Sequence, residues 1–86
     1  MQDTKQEKAT SYLRALLEGF CDDEPFEIVP RIDELGLTLV INAGKKNSAL
    51  IIGHEGSVIK SLRKIMQLYG KKNNAKVNVF VPKTNA

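Results

Sequence analysis

The residues most able to do chemistry lie in one short segment, Gly53-His54-Glu55-Gly56. Two glycines three positions apart let the backbone turn tightly where a Cβ would clash. Apolar periodicity on both sides predicts a helix before the segment and another after it, so the second helix begins with bare backbone N–H groups. Because a helix N-terminus attracts anions, the segment predicts a loop that a sugar-phosphate backbone can approach closely. A plain turn between two helices is the alternative interpretation.

Catalysis and metal binding find little support in the sequence. His54 is the only histidine and Cys21 the only cysteine. No set of histidine, cysteine and carboxylate side chains completes a metal site around either one. No nucleophile–base pair can be recognised. We therefore expect a protein that is not an enzyme and needs no metal or other cofactor, with Cys21 as an incidental thiol. The adjacent His54 and Glu55 are the only support for an enzyme.

The charge is divided unequally along the chain. Residues 1–43 carry nine acidic and four basic side chains, whereas residues 44–86 carry nine basic side chains and one acid, Glu55. Such a division indicates that the second half faces a polyanion. Alternatively, folding interleaves the halves and the surface is mixed.

Basic residues follow the glycine segment directly. Position favours phosphate contacts for Lys60, Arg63 and Lys64, although most charge clusters are simply solvated helix faces. Lys45 and Lys46 are weaker candidates because a polar loop also explains them. A third group has the same ambiguity: Lys71, Lys72 and Lys76.

Length and composition predict a single soluble domain. A chain of 86 residues with 42% hydrophobic and 27% charged residues can build one core. No apolar run approaches the ~18 residues of a membrane span. The charged N-terminus predicts no secretory signal, and a single cysteine predicts no internal disulfide. Together these features favour a reducing, cytoplasmic location.

The chain should begin with an amphipathic helix over about residues 4–18. Apolar residues there recur at spacings of three and four. Thr4 and Glu7 fit a capping box at the helix start, and Asp3 with Gln6 is a competing register.

A β-hairpin should follow the first helix. Apolar runs over about residues 26–32 and 37–42 predict two strands, and the turn residues 33–36 between them predict antiparallel pairing. Pro30 lacks a backbone donor, so the first strand should lie at a sheet edge.

Two helices should flank the glycine segment. Asn47 or Ser48 is expected to cap a short helix that runs through Ile52. The helix after Gly56 carries a long apolar stripe, and Gly70 is expected to end it. A strand over residues 77–81 should close the fold.

The order α-β-β-α-loop-α-β predicts an α+β fold. A right-handed helical crossover makes the last two strands parallel. The expected architecture is a three-stranded mixed sheet with the helices packed on one face.

Apolar side chains near the loop have two possible uses. We expect Ile59 in the core, and Val58, Leu50 and Ile52 partly in a groove beside the loop. No aromatic residue lies in the loop, so little base stacking is expected. The aromatic residues assigned to the core are Tyr12, Phe20, Phe26, Tyr69 and Phe80.

The run from Ile51 to Ile59, Ile-Ile-Gly-His-Glu-Gly-Ser-Val-Ile, resembles the signature of KH domains. In those domains the loop joins two helices and clamps about four single-stranded nucleotides. The order of elements is similar to that of the bacterial type II KH fold. The resemblance covers about residues 4–82 and is strongest to small stand-alone KhpA-like proteins, then to the KH part of Jag-type proteins.

The resemblance implies a cytosolic protein, a single KH domain over residues 1–86, that binds single-stranded RNA. It also implies a possible homodimer or a Jag-type KH partner, and leaves single-stranded DNA open as a ligand. The expected RNA-binding residues are Ile52, Gly53, His54, Glu55, Gly56, Ser57, Val58, Lys60, Arg63, Lys64, Lys45 and Lys46.

The loop departs from the family pattern at one point. The two residues between the glycines commonly include lysine or arginine, but here they are His54 and Glu55. Glu55 would place a negative charge near phosphate, or could accept a hydrogen bond from a base amino group. The second hypothesis is therefore a KH-fold protein-interaction module in which nucleic-acid binding is weakened.

Overall fold

Every segment that the sequence predicts as a helix or strand forms one in the computed structural model. The structure describes residues 4–21 and 25–82, with side chains from Gln6 onward in the first helix. The elements are α1 (Thr4–Glu18), β1 (Phe26–Asp33), β2 (Gly36–Ala43), α2 (Lys45–Ile52), a 3₁₀ turn (His54–Gly56), α3 (Ser57–Lys72) and β3 (Val77–Phe80). None of these helices has the length and apolar character needed to cross a bilayer.

The three strands form one mixed sheet in the order β1-β2-β3. β1 and β2 pair antiparallel, with Ile28 opposite Ile41. β2 and β3 pair parallel, with Leu39 opposite Val79. Pro30 lies on β1, an edge strand, which is where sheets tolerate a residue without a backbone donor. The predicted topology and the edge position of β1 are confirmed.

One face of the sheet carries the hydrophobic core. β3 alternates buried and exposed residues, and Leu37, Leu39 and Ile41 of β2 point to the same face as Val77 and Val79 because successive side chains point to opposite faces. All three helices contribute to the same cluster, so they cover this face as predicted. Each large aliphatic side chain removed from water contributes about 1.5–3 kcal/mol. The cluster comprises Ala9, Leu13, Leu17, Ile28, Leu37, Leu39, Ile41, Ile51, Ile59, Leu62, Met66, Val77 and Val79.

The start of α2 differs from the prediction. Gly44 is the N-cap and no side chain caps it. The Ser48 amide already donates to the Gly44 carbonyl oxygen at 2.8 Å. Asn47 and Ser48 are buried inside the helix, and Ser48 Oγ donates to the Ala43 carbonyl oxygen at 3.2 Å. These side chains anchor α2 to the end of β2 instead of capping the helix, so the predicted cap was wrong.

The end of α3 also differs. The helix passes through Gly70 and ends at Lys72. A Cβ on Gly70 would lie 2.6 Å from the Ala75 carbonyl oxygen. Glycine therefore serves close packing of the returning chain here, and the prediction that it ends the helix was wrong. The predicted capping box involves Asp3 and the Thr4 side chain, which lie outside the described atoms.

Three of the five aromatic residues assigned to the core are exposed. Tyr12 is 41%, Phe20 39% and Phe80 47% exposed. Tyr12 stacks on Tyr69 at the rim of the helical layer, with ring centroids 4.9 Å apart. Phe20 follows the end of α1, and Phe80 points to the open face of the sheet because it alternates with buried Val79. For Tyr12, Phe20 and Phe80 the core assignment was wrong.

Candidate functional site

The turn between α2 and α3 depends on glycine at its first position. Gly53 has φ 77° and ψ 177°, a conformation that costs an L side chain considerable strain. Its amide donates to the Ala49 carbonyl oxygen at 2.9 Å, and its own carbonyl oxygen accepts from the Gly56 amide at 3.2 Å. A Cβ on Gly53 would lie 2.4 Å from Val58 Cγ2. Both the backbone angle and the space therefore exclude a side chain.

The second glycine leaves the start of α3 open. Gly56 is the N-cap, with φ 77° and ψ 13°, and no side chain caps the helix. A Cβ there would meet only Ile59 Cγ2 and Lys60 Cε, each at 3.9 Å. The Ser57 amide donates to the His54 carbonyl oxygen, which leaves the Val58 and Ile59 amides as first-turn N–H groups without an acceptor within the helix. This end of α3 therefore offers backbone donors and the positive pole of the helix dipole to an anion.

His54 and Glu55 project from the loop into solvent. Their side chains are 90% and 84% exposed, and His54 Nε2 lies 3.8 Å from Glu55 Oε2. Glu55 also has a left-handed backbone, with φ 54° and ψ 29°, an uncommon conformation outside glycine.

The basic residues after the loop divide into two groups. Lys60 reaches the loop, since its Cε lies 3.9 Å from the Cβ position of Gly56. Lys64 follows one turn later on the same side of α3. Arg63 turns towards the sheet, where its Nε donates to the Val79 carbonyl oxygen at 3.1 Å. Lys60 thus lies beside the loop, Lys64 lies on the same side of α3 about 12 Å along the helix from it, and the arginine holds the edge of β3.

Not all predicted site residues lie near the loop. Lys45 and Lys46 are exposed in the first turn of α2, about 10 Å along the helix from its loop end. Ser57 is exposed at the first position of α3, and its carbonyl oxygen accepts from Ser61 Oγ at 3.1 Å.

Apolar residues border the loop from both helices. Ile52 is 38% and Leu50 40% exposed, whereas Ile59 is only 7% exposed. Val58 is half-buried and packs against the core. Ile59 therefore lies in the core as expected, and the other three are accessible, while their place in a binding groove stays a prediction.

A trough along β3 contains two residues that sequence reasoning missed, Gln67 and Asn78, beside two that it had named. Its helical side carries Arg63, Gln67 and Lys71, and Asn78 lies on its strand side. Asn78 lines both a cavity of about 440 Å³ with Arg63 and one of about 560 Å³ with Gln67 and Lys71. We call these four residues the β3 trough. The spacing of four residues between Arg63, Gln67 and Lys71 indicates in the sequence that they share one face of α3. Only the packing of α3 on β3 shows that this face borders the strand.

Among the described residues, no group of three histidine, cysteine or carboxylate side chains is placed to hold a metal ion. The same part of the chain has no buried side-chain nitrogen or oxygen without a hydrogen-bond partner.

Comparison with known families finds a match over most of the chain. The model of the KH domain of KhpA and KhpB matches residues 10–81, from within α1 to the residue after β3, and includes the whole loop. No curated protein matches the chain.

Proposed function

The chain belongs to the KhpA/KhpB KH-domain family, whose fold is of the RNA-binding type, and from this we propose that it binds single-stranded RNA through the Gly53–Gly56 loop. In this proposal the chain is a single, non-enzymatic KH domain that acts in the cytoplasm. The observation that carries the proposal is the uncapped N-terminus of α3, opened by two glycines with positive φ and flanked by Lys60.

The loop can hold phosphates by two contributions. The Val58 and Ile59 amides in the first turn of α3 donate hydrogen bonds to phosphate oxygens, and the absence of a Cβ at Gly56 lets the RNA backbone approach. Lys60 and Lys64 add positive charge on the same side. Ser57 adds a hydroxyl at the first helical position. These groups recognise a phosphate backbone without reading its sequence.

The groove beside the loop can hold bases. Ile52 and Val58 offer aliphatic contacts on the loop side. The β3 trough offers the amide groups of Gln67 and Asn78, which can hydrogen-bond base edges exposed in a single strand. Glu55, extended into solvent, can accept from a base amino group. Bases would thus be selected in the groove while phosphates are held at the loop.

A double substitution in the loop tests this function. His54→Asp with Glu55→Asp adds one negative charge beside the expected phosphate position. In fluorescence anisotropy at low salt with a degenerate single-stranded RNA, we expect the variant to lose at least tenfold in affinity. Ser11→Asp, an exposed position on α1, adds one negative charge elsewhere and is the control. Equal binding by the wild type and both variants would contradict the loop as the RNA site. A DNA oligomer of the same degenerate sequence, titrated in the same way, shows whether the protein prefers RNA to single-stranded DNA.

A second candidate function, pairing with another KH protein, is favoured by an apolar patch on the helices. Leu68 is 64%, Tyr12 41% and Ile65 37% exposed. The three line one cavity of about 490 Å³ between α1 and α3. On α3, Ile65 and Leu68 lie 140° or more around the helix axis from Arg63. Pairing through this apolar patch would therefore leave Arg63 accessible, whereas Lys71 of the β3 trough neighbours Leu68, three residues away on the helix surface.

The apolar patch can be tested separately from RNA binding. If a second copy or a Jag-type KH partner covers it, Leu68→Glu should give a monomer by light scattering at concentrations where the wild type self-associates or binds that partner. Leu35→Glu, at an equally exposed leucine in the β1–β2 turn, is the matched control. A wild type that stays monomeric and binds no such partner would contradict this second function.

A further inference from the structure

The open face of the sheet presents an aromatic ring that the fold does not require. Phe80 is 47% exposed, and no residue of the hydrophobic core cluster lies on its side of the strand. By register it lies beside Val40, which in turn lies beside Val29. Val40 is only 8% exposed, so its neighbours shield it. The accessible apolar surface of this row is therefore concentrated at Phe80.

Polar and cationic groups surround the ring. Arg31, Thr38 and Asn78 form the adjacent cross-strand row on the same face. They line the cavity of about 440 Å³ together with Phe80 and Arg63. Asp33 also borders this cavity. Its Oδ1 accepts from the Leu35 amide at 2.8 Å within the turn.

This surface is continuous with the loop site through Arg63. α3 and β3 run in opposite directions, because Gly70 lies against Val77 whereas Arg63 contacts Val79. The end of β3 that carries Phe80 therefore lies nearer to the start of α3, and so to the loop, than the other end of β3 does. A strand held at the loop that crosses the edge of β3 would meet Phe80 next.

We propose that Phe80 is a base-stacking position that extends the RNA site from the loop onto the open face of the sheet. This inference rests on the proposed RNA-binding function. A base stacks on the Phe80 ring, Asn78 and Thr38 hydrogen-bond its edge, and Arg31 and Arg63 contact the flanking phosphates. Two guanidinium groups beside one exposed ring complement a nucleotide. The accessible apolar area, essentially one ring, is small for a protein interface.

The inference predicts a length-dependent effect. The loop clamps about four nucleotides, so a tetramer should not need Phe80, whereas an octamer should reach it. Phe80→Ala should weaken octamer binding at least about fivefold, because base–aromatic stacking commonly contributes that much or more. The tetramer should change less than about twofold. Phe80→Tyr keeps the ring and should bind the octamer as the wild type does.

The controls separate stacking from folding. Phe20→Ala removes another exposed phenylalanine, after the end of α1, and should leave both affinities unchanged. Thermal unfolding of each variant reports whether it is folded. Arg31→Gln, which keeps the sheet residues in place, should also weaken binding of the octamer more than of the tetramer.

Three outcomes would overturn the inference. If Phe80→Ala binds the octamer as well as the wild type does, the ring is not part of the RNA site, although the loop function stands. If the wild type binds neither oligomer, the inference and the proposed function fail together. If Phe80→Ala instead abolishes self-association with octamer binding unchanged, the open face is a protein surface.

Discussion

At the residue scale, the two loop glycines are required for different reasons. At Gly53 both the positive φ and the contact with Val58 exclude a side chain. At Gly56 φ is also positive, but the space where a Cβ would lie is open. The sequence predicted the glycine loop because glycine spacing is a local signal. It could not predict that Val58, five residues on, closes the space at Gly53, since that contact depends on how α3 leaves the turn.

The two glycines should therefore differ in stability when replaced. Gly53→Ala should reduce the free energy of unfolding by about 3 kcal/mol, from backbone strain and overlap with Val58. Gly56→Ala should cost about 1 kcal/mol, from the left-handed backbone alone. Urea unfolding measures both. Equal losses would contradict the steric account of Gly53.

Glu55 should limit the affinity for RNA. Glu55→Lys removes a carboxylate and adds a cation beside the expected phosphate, while the left-handed backbone keeps a non-glycine residue. At low salt we expect about a five- to tenfold tighter binding of single-stranded RNA by anisotropy.

The matched control for that change is Glu7→Lys. Gln6, its neighbour, lines a cavity with Tyr69 near the far end of α3, about 20 Å from the loop. Glu7→Lys gives the same change in net charge and should alter affinity much less. If Glu55→Lys binds no more tightly than the control, Glu55 does not face the RNA.

At the element scale, the periodicity predicted the type and order of the elements, and packing set their ends. α2 begins at Lys45 because Asn47 and Ser48 are buried against the rest of the fold. α3 continues past Gly70 because the helix needs a residue without a side chain where the chain returns to β3. In a sequence, asparagine and serine indicate the start of a helix and glycine indicates its end. Only tertiary contacts show that they serve packing here.

Gly70 should resist substitution although alanine favours helices. Gly70→Ala gains helix propensity of about 1 kcal/mol, but its Cβ would lie 2.6 Å from the Ala75 carbonyl oxygen. Overpacking of this kind costs about 1–3 kcal/mol, so we expect a net loss of about 1 kcal/mol in urea unfolding. Gly19→Ala, whose nearest neighbour is the Leu16 carbonyl oxygen at 3.3 Å, is the control and should lose less. A net gain at Gly70 would contradict the close approach.

At the scale of the whole molecule, three surfaces surround one core. The loop and β3 trough lie along one side of α3, the apolar patch lies on another, and the open sheet face joins the trough at Arg63. Charge division predicted a polyanion-facing second half, and the lysines at the loop come from that half. The sequence could not place Arg31 of the first half beside Arg63 of the second, because that neighbourhood requires the pairing of all three strands.

RNA binding should depend moderately on salt. If three or four phosphates contact the loop and its lysines, the slope of log affinity against log salt should be about −2 to −3. Anisotropy titrations between low and moderate salt measure it. A slope near zero would mean that phosphate contacts contribute little, contrary to the role assigned to the α3 N-terminus.

The most direct test of the central claim is amide chemical-shift mapping by NMR with a degenerate RNA tetramer. We predict that the largest shifts fall on residues 53–60, because the Val58 and Ile59 amides in the first turn of α3 bind phosphate. Saturable shifts there would support the loop as the RNA site. Shifts confined to the apolar patch of Tyr12, Ile65 and Leu68, or none at millimolar RNA, would contradict it.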